Sequence, residues 1–85
     1  MNRETRQITV YGAQWCGDCI RAKRILDQYE ASYQWIDVDG DEQALDIVRK
    51  ANNGMRSIPT IFFPDGSILV EPSNGELLKK LAQQS

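Results

Sequence analysis

The stretch Gln7-Ile8-Thr9-Val10-Tyr11-Gly12-Ala13-Gln14-Trp15-Cys16-Gly17-Asp18-Cys19-Ile20-Arg21-Ala22-Lys23-Arg24-Ile25-Leu26 carries two periodicities in succession. Residues 7–11 alternate and are rich in β-branched side chains, which predicts a strand ending at Gly12. From Cys19 onward, Ala22, Ile25, Leu26 and Tyr29 fall at i, i+3, i+4 and i+7, which predicts an amphipathic helix. Its other side carries Arg21, Lys23, Arg24 and Asp27 toward water. Trp15-Cys16-Gly17-Asp18-Cys19 lies at the junction. The opening turn of a helix presents unpaired N–H groups and the positive end of its dipole, and both favour a thiolate over a thiol. Cys16, nearer the strand end and solvent, feels this most. Cys19 is one turn further in, within reach of a sulfur bonded to Cys16, which is the spacing for thiol–disulfide exchange. The competing reading makes both cysteines small, buried apolar residues.

Outward from this stretch, Tyr33-Gln34-Trp35-Ile36-Asp37-Val38 predicts a second strand, and Asp39-Gly40-Asp41 an acidic turn. Ala44, Ile47, Val48 and Ala51 mark a second helix, stopped by Asn52-Asn53-Gly54. Beyond Pro59, Thr60-Ile61-Phe62-Phe63 and Ser67-Ile68-Leu69-Val70 flank Pro64-Asp65-Gly66, a hairpin signal. Ser73-Asn74-Gly75-Glu76 matches a capping box, with Leu77, Leu78 and Leu81 as the stripe of the helix it starts. The order β-α-β-α-β-β-α implies a right-handed βαβ unit with an antiparallel hairpin added. The expected architecture is α/β, a four-stranded mixed sheet flanked by helices, with residues 1–85 as a single domain.

Composition narrows the function. In 85 residues, a net charge of −2 gives no basic field to attract nucleic acid or an anionic membrane. No apolar run approaches the roughly 18 residues of a membrane span. Residues 1–6 are polar with no apolar stretch behind them, so no export signal is visible and a cytoplasmic location is expected. The absence of histidine excludes His-based acid–base catalysis, Ser–His triads and His-ligated metals. Cys16 and Cys19 are the only cysteines, and so small a ring constrains little chain entropy, which makes chemistry a better explanation than stapling. Zinc needs two further Cys or His ligands that the chain lacks, so no metal site within one chain is expected. An iron–sulfur cluster held between two copies stays open.

The first strand, Trp15-Cys16-Gly17-Asp18-Cys19, Cys19-Ile20-Arg21-Ala22-Lys23, and Ser57-Ile58-Pro59-Thr60 before a hairpin together resemble the glutaredoxin family. Tyr11-Gly12, Asn53-Gly54, Phe63-Pro64-Asp65-Gly66 and Pro72-Ser73 bring the resemblance closest to the mycoredoxins. It runs from about residue 7 to 83 and implies a thioredoxin-like fold. It also implies a cis bond before Pro59, with that proline facing the disulfide and the Ile58 backbone pairing with substrate. The implied activity is thiol–disulfide oxidoreduction in cell redox homeostasis, by a monomer whose redox centre is the Cys16–Cys19 pair, with no organic cofactor required. The implied partners are a small thiol (mycothiol or glutathione), disulfide-bearing proteins and an unidentified reductase. The alternatives are a thioredoxin-like protein disulfide reductase or an electron donor dedicated to one partner enzyme, and the cluster-binding dimer. Two departures weigh against glutathione: Ala13 stands where many relatives carry a carboxylate-binding Lys, and Val70-Glu71 replaces a Gly-Gly. Pro72-Ser73 follows the mycoredoxin pattern, and Ser73 has two readings, as a thiol contact or simply as a helix cap.

Asp18 occupies a slot where Pro or Tyr is commoner. Its charge, at roughly 7 Å and an effective dielectric of 20 to 80, costs a thiolate at Cys16 about 0.6–2.4 kcal/mol. The helix dipole, with Arg21 and Lys23, pushes the other way, and the net sign stays open. Arg21 and Lys23 read equally as a solvated face. Trp15, beside Cys16, is placed to stack on a substrate, whereas Trp35 reads as core or sheet surface. Asp37, Asp39 and Asp41 echo a calcium loop with its glycine misplaced, and read as a capping turn.

Overall fold

The computed structural model describes residues 7–84, so the polar segment 1–6 lies outside the described residues. The elements are β1 (Ile8–Gly12), α1 (Gly17–Gln28), β2 (Tyr33–Asp37), α2 (Glu42–Ala51), β3 (Thr60–Phe62), β4 (Ile68–Val70) and α3 (Asn74–Gln84). Their sheet order is β2-β1-β3-β4. β1 runs parallel to β2 and antiparallel to β3, with Val10 opposite both Trp35 and Ile61; β4 closes the hairpin antiparallel to β3. The central place falls to β1 because its β-branched and aromatic side chains are covered on both faces. Among the described residues, no helix is long and apolar enough to cross a membrane.

Alternation along the strands feeds two separate cores. Ile8, Val10, Ile61 and Phe63 meet Ala22 and Leu26 of α1 and Leu77 and Leu81 of α3 on one face. On the other, Tyr11 packs with Val38 and with Ala44, Leu45 and Val48 of α2, joined by Ile36, Ile58 and Phe62. Burying a leucine as completely as Leu26 stabilises the fold by about 1.5–3 kcal/mol.

Three residues expected in the apolar stripes lie outside them: Tyr29, Ile47 and Leu78 are 40%, 41% and 45% exposed. Tyr29 is the C-cap of α1, where the chain turns into Glu30 at φ 61° and leaves the helical face. In α2 the inward side is Ala44, Leu45 and Val48, and Ile47 stands about 200° round from Leu45. In α3, Leu77 and Leu81 already fill the i, i+4 pair facing the sheet.

The loop between α2 and β3 is fixed by side chains. Wholly buried Thr60 donates its hydroxyl to the Ser57 carbonyl at 2.6 Å and accepts from Asn52 Nδ2 at 3.1 Å. Asn52 also donates to the Val48 carbonyl at 2.8 Å, so the end of α2 is tied to the segment leading into β3 with its buried polar groups satisfied. Within that segment the Ile58–Pro59 peptide is cis, as the resemblance implies. The capping box forms as expected: Ser73 N–H donates to Glu76 Oε1 at 2.8 Å, and Glu76 N–H to Ser73 Oγ at 3.1 Å.

Candidate active site

Cys16 is the N-cap of α1, with extended backbone (φ −89°, ψ 116°). Its sulfur takes the place of the usual capping oxygen and accepts the Cys19 N–H at 3.3 Å. The loop before it is held by Cys16 N–H donating to the Ala13 carbonyl at 3.2 Å. Cys16 is half-buried, Cys19 wholly buried, and both are free thiols. A thiol buried as completely as Cys19 has no water to stabilise its anion. Burial pushes Cys19 up to about 12, helped by its hydrogen bond to Cys16 and the negative charges of Cys16 and Asp18, and opposed by a backbone hydrogen bond at Ala13. Gly12 makes room for this sulfur: a Cβ there would lie 2.9 Å from Trp35 Cη2 and 3.0 Å from Cys19 Sγ.

A thiol raised in the folded state binds its proton more tightly there than in the unfolded chain. Its contribution to stability is therefore complete below about pH 9 and is lost as pH rises toward 12. Tyr33, pushed up to about 12 by burial and its bond to Asp27, and Tyr11, also raised, add losses in the alkaline range. Urea unfolding of the reduced protein isolates Cys19 by difference: the stability margin of wild type over Cys19→Ser shrinks between pH 9 and 11. A margin independent of pH would contradict this.

Tyr11 pairs with Thr60, so buried Pro59 lies one position beyond that pairing, on the Gly12 end of β1. The Pro59 carbonyl accepts the Glu71 N–H at 2.9 Å. Glu71 holds a left-handed φ of 47°, a conformation that a Cβ disfavours. Half-buried Ile58 packs on the α2-side core. Both capping groups of Ser73 are engaged by Glu76.

The charged candidates separate. Arg21 Nη1 lies 3.2 Å from Asp18 Oδ1, so these two meet each other, and Arg21 Nη2 donates to the Pro72 carbonyl at 3.3 Å. Lys23 instead stands over the Trp35 ring, its Nζ 5.6 Å from the centroid. Trp15 is 69% exposed, yet its Nε1 donates to Asp39 Oδ2 at 2.7 Å, a contact absent from the sequence reading. The signal for it was the parallel register: Gly12 pairs with Asp37, so the residues just beyond both strand ends share one place. Asp37 accepts the Asp39 N–H at 2.9 Å and Asp41 caps α2 through the Ala44 N–H at 3.0 Å. Each of these carboxylates thus has a protein donor, and among the described residues no group of three or more His, Cys, Asp or Glu is arranged to hold a metal.

Residues 8–68 match the glutaredoxin family model. A protein of Mycobacterium tuberculosis H37Rv whose name assigns it to the glutaredoxins is 37% identical over 79 residues, spanning 93% of this chain and 94% of its own. Mycoredoxin 1 of Corynebacterium glutamicum is 36% identical over 74 residues, 87% of this chain and 91% of its own. The crystal structure of the thioredoxin-like protein BC3987 superposes with a TM-score of 0.70 at 26% identity, covering 93% of this chain and 100% of that one. On these matches the chain belongs to the glutaredoxins, thiol–disulfide oxidoreductases that work through a CxxC pair, Cys16 and Cys19 in this sequence.

Proposed function

We propose that Cys16 is the nucleophile and that the chain acts chiefly on mixed disulfides between a protein and a low-molecular-weight thiol, mycothiol ahead of glutathione. The asymmetry of the two thiols carries this reading. Cys16 is reachable and accepts an N–H at a helix start, whereas Cys19 is wholly buried with its proton held to about pH 12. The Cys16 thiolate attacks the small-thiol sulfur of the mixed disulfide, the protein thiolate leaves and takes a proton, and the small thiol stays bonded to Cys16. A second small thiolate then attacks that small-thiol sulfur, forming the small-molecule disulfide and returning Cys16 as thiolate. In the dithiol route the Cys19 sulfur attacks Cys16 instead, the small thiol leaves with the proton that Cys19 gives up, and the Cys16–Cys19 disulfide is later reduced by a reductase or by two small thiols. Bonding at Cys16 removes the hydrogen bond and charge that help hold the Cys19 proton, but burial remains, so the dithiol route is the slower one.

Ala13 offers no cation to a carboxylate, and Glu71 beside Pro59 adds an anion, which supports a thiol without carboxylates over glutathione. The similarity to Mycoredoxin 1 points the same way. No backbone hydrogen bond among the described residues involves Ile58, which leaves its N–H and carbonyl available to an extended substrate. Exposed Trp15 supplies an apolar face next to the reacting sulfur. The test is turnover of one peptide carrying either thiol, with wild type and Cys19→Ser. Faster release from the mycothiol adduct, retained without Cys19, is expected. Turnover of neither adduct, with protein disulfides reduced only when both cysteines are present, would replace this reading with a thioredoxin-like protein reductase.

A further inference from the structure

Asp18 lies between the two cysteines on the first turn of α1, where its charge opposes a thiolate at Cys16. An exposed i, i+3 ion pair would ordinarily do little about that, because both side chains wander in water. The pair here is different. Arg21 Nη1 stands 3.2 Å from Asp18 Oδ1 while Nη2 donates to the Pro72 carbonyl, 51 residues away, at 3.3 Å. Between these two contacts Nε is buried and bonded to nothing among the described residues, an arrangement a freely solvated arginine would avoid.

We infer that Arg21 is a positioning residue for the Cys16 thiolate: pinned to the segment before α3, its guanidinium cancels the Asp18 charge in a fixed geometry. The inference rests on the reading of Cys16 as nucleophile. The other charges on neighbouring elements are Asp39, bonded to Trp15; Glu71, after β4; Glu76, bonded to Ser73; Lys80, bonded to Asp65; Arg56, before Pro59; Lys23, over Trp35; and Arg24 and Lys79 on the two helices. None of them bonds to Asp18 or Arg21 among the described residues.

The experiment labels the reduced protein with limiting iodoacetamide at one pH below the midpoint of the wild-type pH–rate profile, where the rate follows the thiolate fraction, and locates the label by peptide mass, so no turnover is needed. A failure of the nucleophile reading shows separately, as label on Cys19. Arg21→Met slows labelling of Cys16 by about 3- to 60-fold, the span set by an effective dielectric of 80 to 20 over roughly 7 Å. Asp18→Asn accelerates it, the double variant returns to within about twofold of wild type, and Arg21→Lys, which keeps the charge, recovers most of the rate. Reduction potentials against a glutathione redox buffer move in step, more negative for Arg21→Met and less negative for Asp18→Asn. An unchanged rate in Arg21→Met, or a double variant as slow as Arg21→Met, would overturn the inference and leave Arg21 a structural clasp. Should Arg21→Met fail to fold, the isosteric Asp18→Asn decides alone, since labelling no faster than wild type contradicts the cancellation.

Discussion

Cys16→Ser abolishes reduction of every mixed disulfide, a loss of about 10³-fold or more, because a hydroxyl is un-ionised at neutral pH and cannot enter disulfide exchange. The loss is expected in the chemistry and not in the fold. Ser is itself a preferred N-cap, so the Cys19 N–H that now donates to sulfur at 3.3 Å keeps an acceptor and the helix its start. Steady-state release of the small thiol, read beside a melting curve, separates the two. Residual activity above a few per cent, or activity lost through unfolding, would remove Cys16 from the role assigned to it. The contrast with Cys19→Ser is informative because Cys19 is buried and protonated: its removal leaves the exposed half of the chemistry intact.

Gly12→Ala has the second large effect, on stability and on the placement of Cys19 together. The added methyl would meet Trp35 Cη2 at 2.9 Å and Cys19 Sγ at 3.0 Å, and neither the half-buried indole nor a sulfur on a helix can simply swing away. Overpacking of this kind costs about 1–3 kcal/mol, which in a domain of this size lowers Tm by about 5–20 °C. Trp35→Phe removes the nearer contact, so Gly12→Ala combined with Trp35→Phe should recover part of the loss relative to the sum of the single changes. Thermal melts of the four proteins of this cycle check it, and an unchanged Tm in Gly12→Ala would show that the strand end is looser than its packing implies.

Much of this fold could be read from local signals. The strand-to-helix switch at Gly12, the capping box at Ser73 and the hairpin at Pro64-Asp65-Gly66 each depend on residues close in sequence, and each forms as read. The inward faces of the helices were harder. Apolar residues one or two positions apart, such as Leu77 and Leu78 or Leu45 and Ile47, leave the phase of a helix undecided, and only packing against the sheet chooses which of them is buried. The site divides in the same way. The cysteine pair and its asymmetry follow from two residues one turn apart at a helix start. What surrounds them depends on contacts between distant segments: Trp15 with Asp39, Arg21 with Pro72, and Glu71 with Pro59. A sequence lists these charges without showing which are spent on each other. Asp18 and Arg21 looked like opposing influences on Cys16, and the structure pairs them.

The central claim, that reactivity resides in the capping thiol and not in the buried one, is tested most directly by mapping where the reduced wild-type protein is alkylated. Limiting iodoacetamide at pH 7 should modify Cys16 first and leave Cys19 unlabelled until denaturant is added. Equal labelling of both cysteines in the folded protein, or labelling of Cys19 ahead of Cys16, would contradict it.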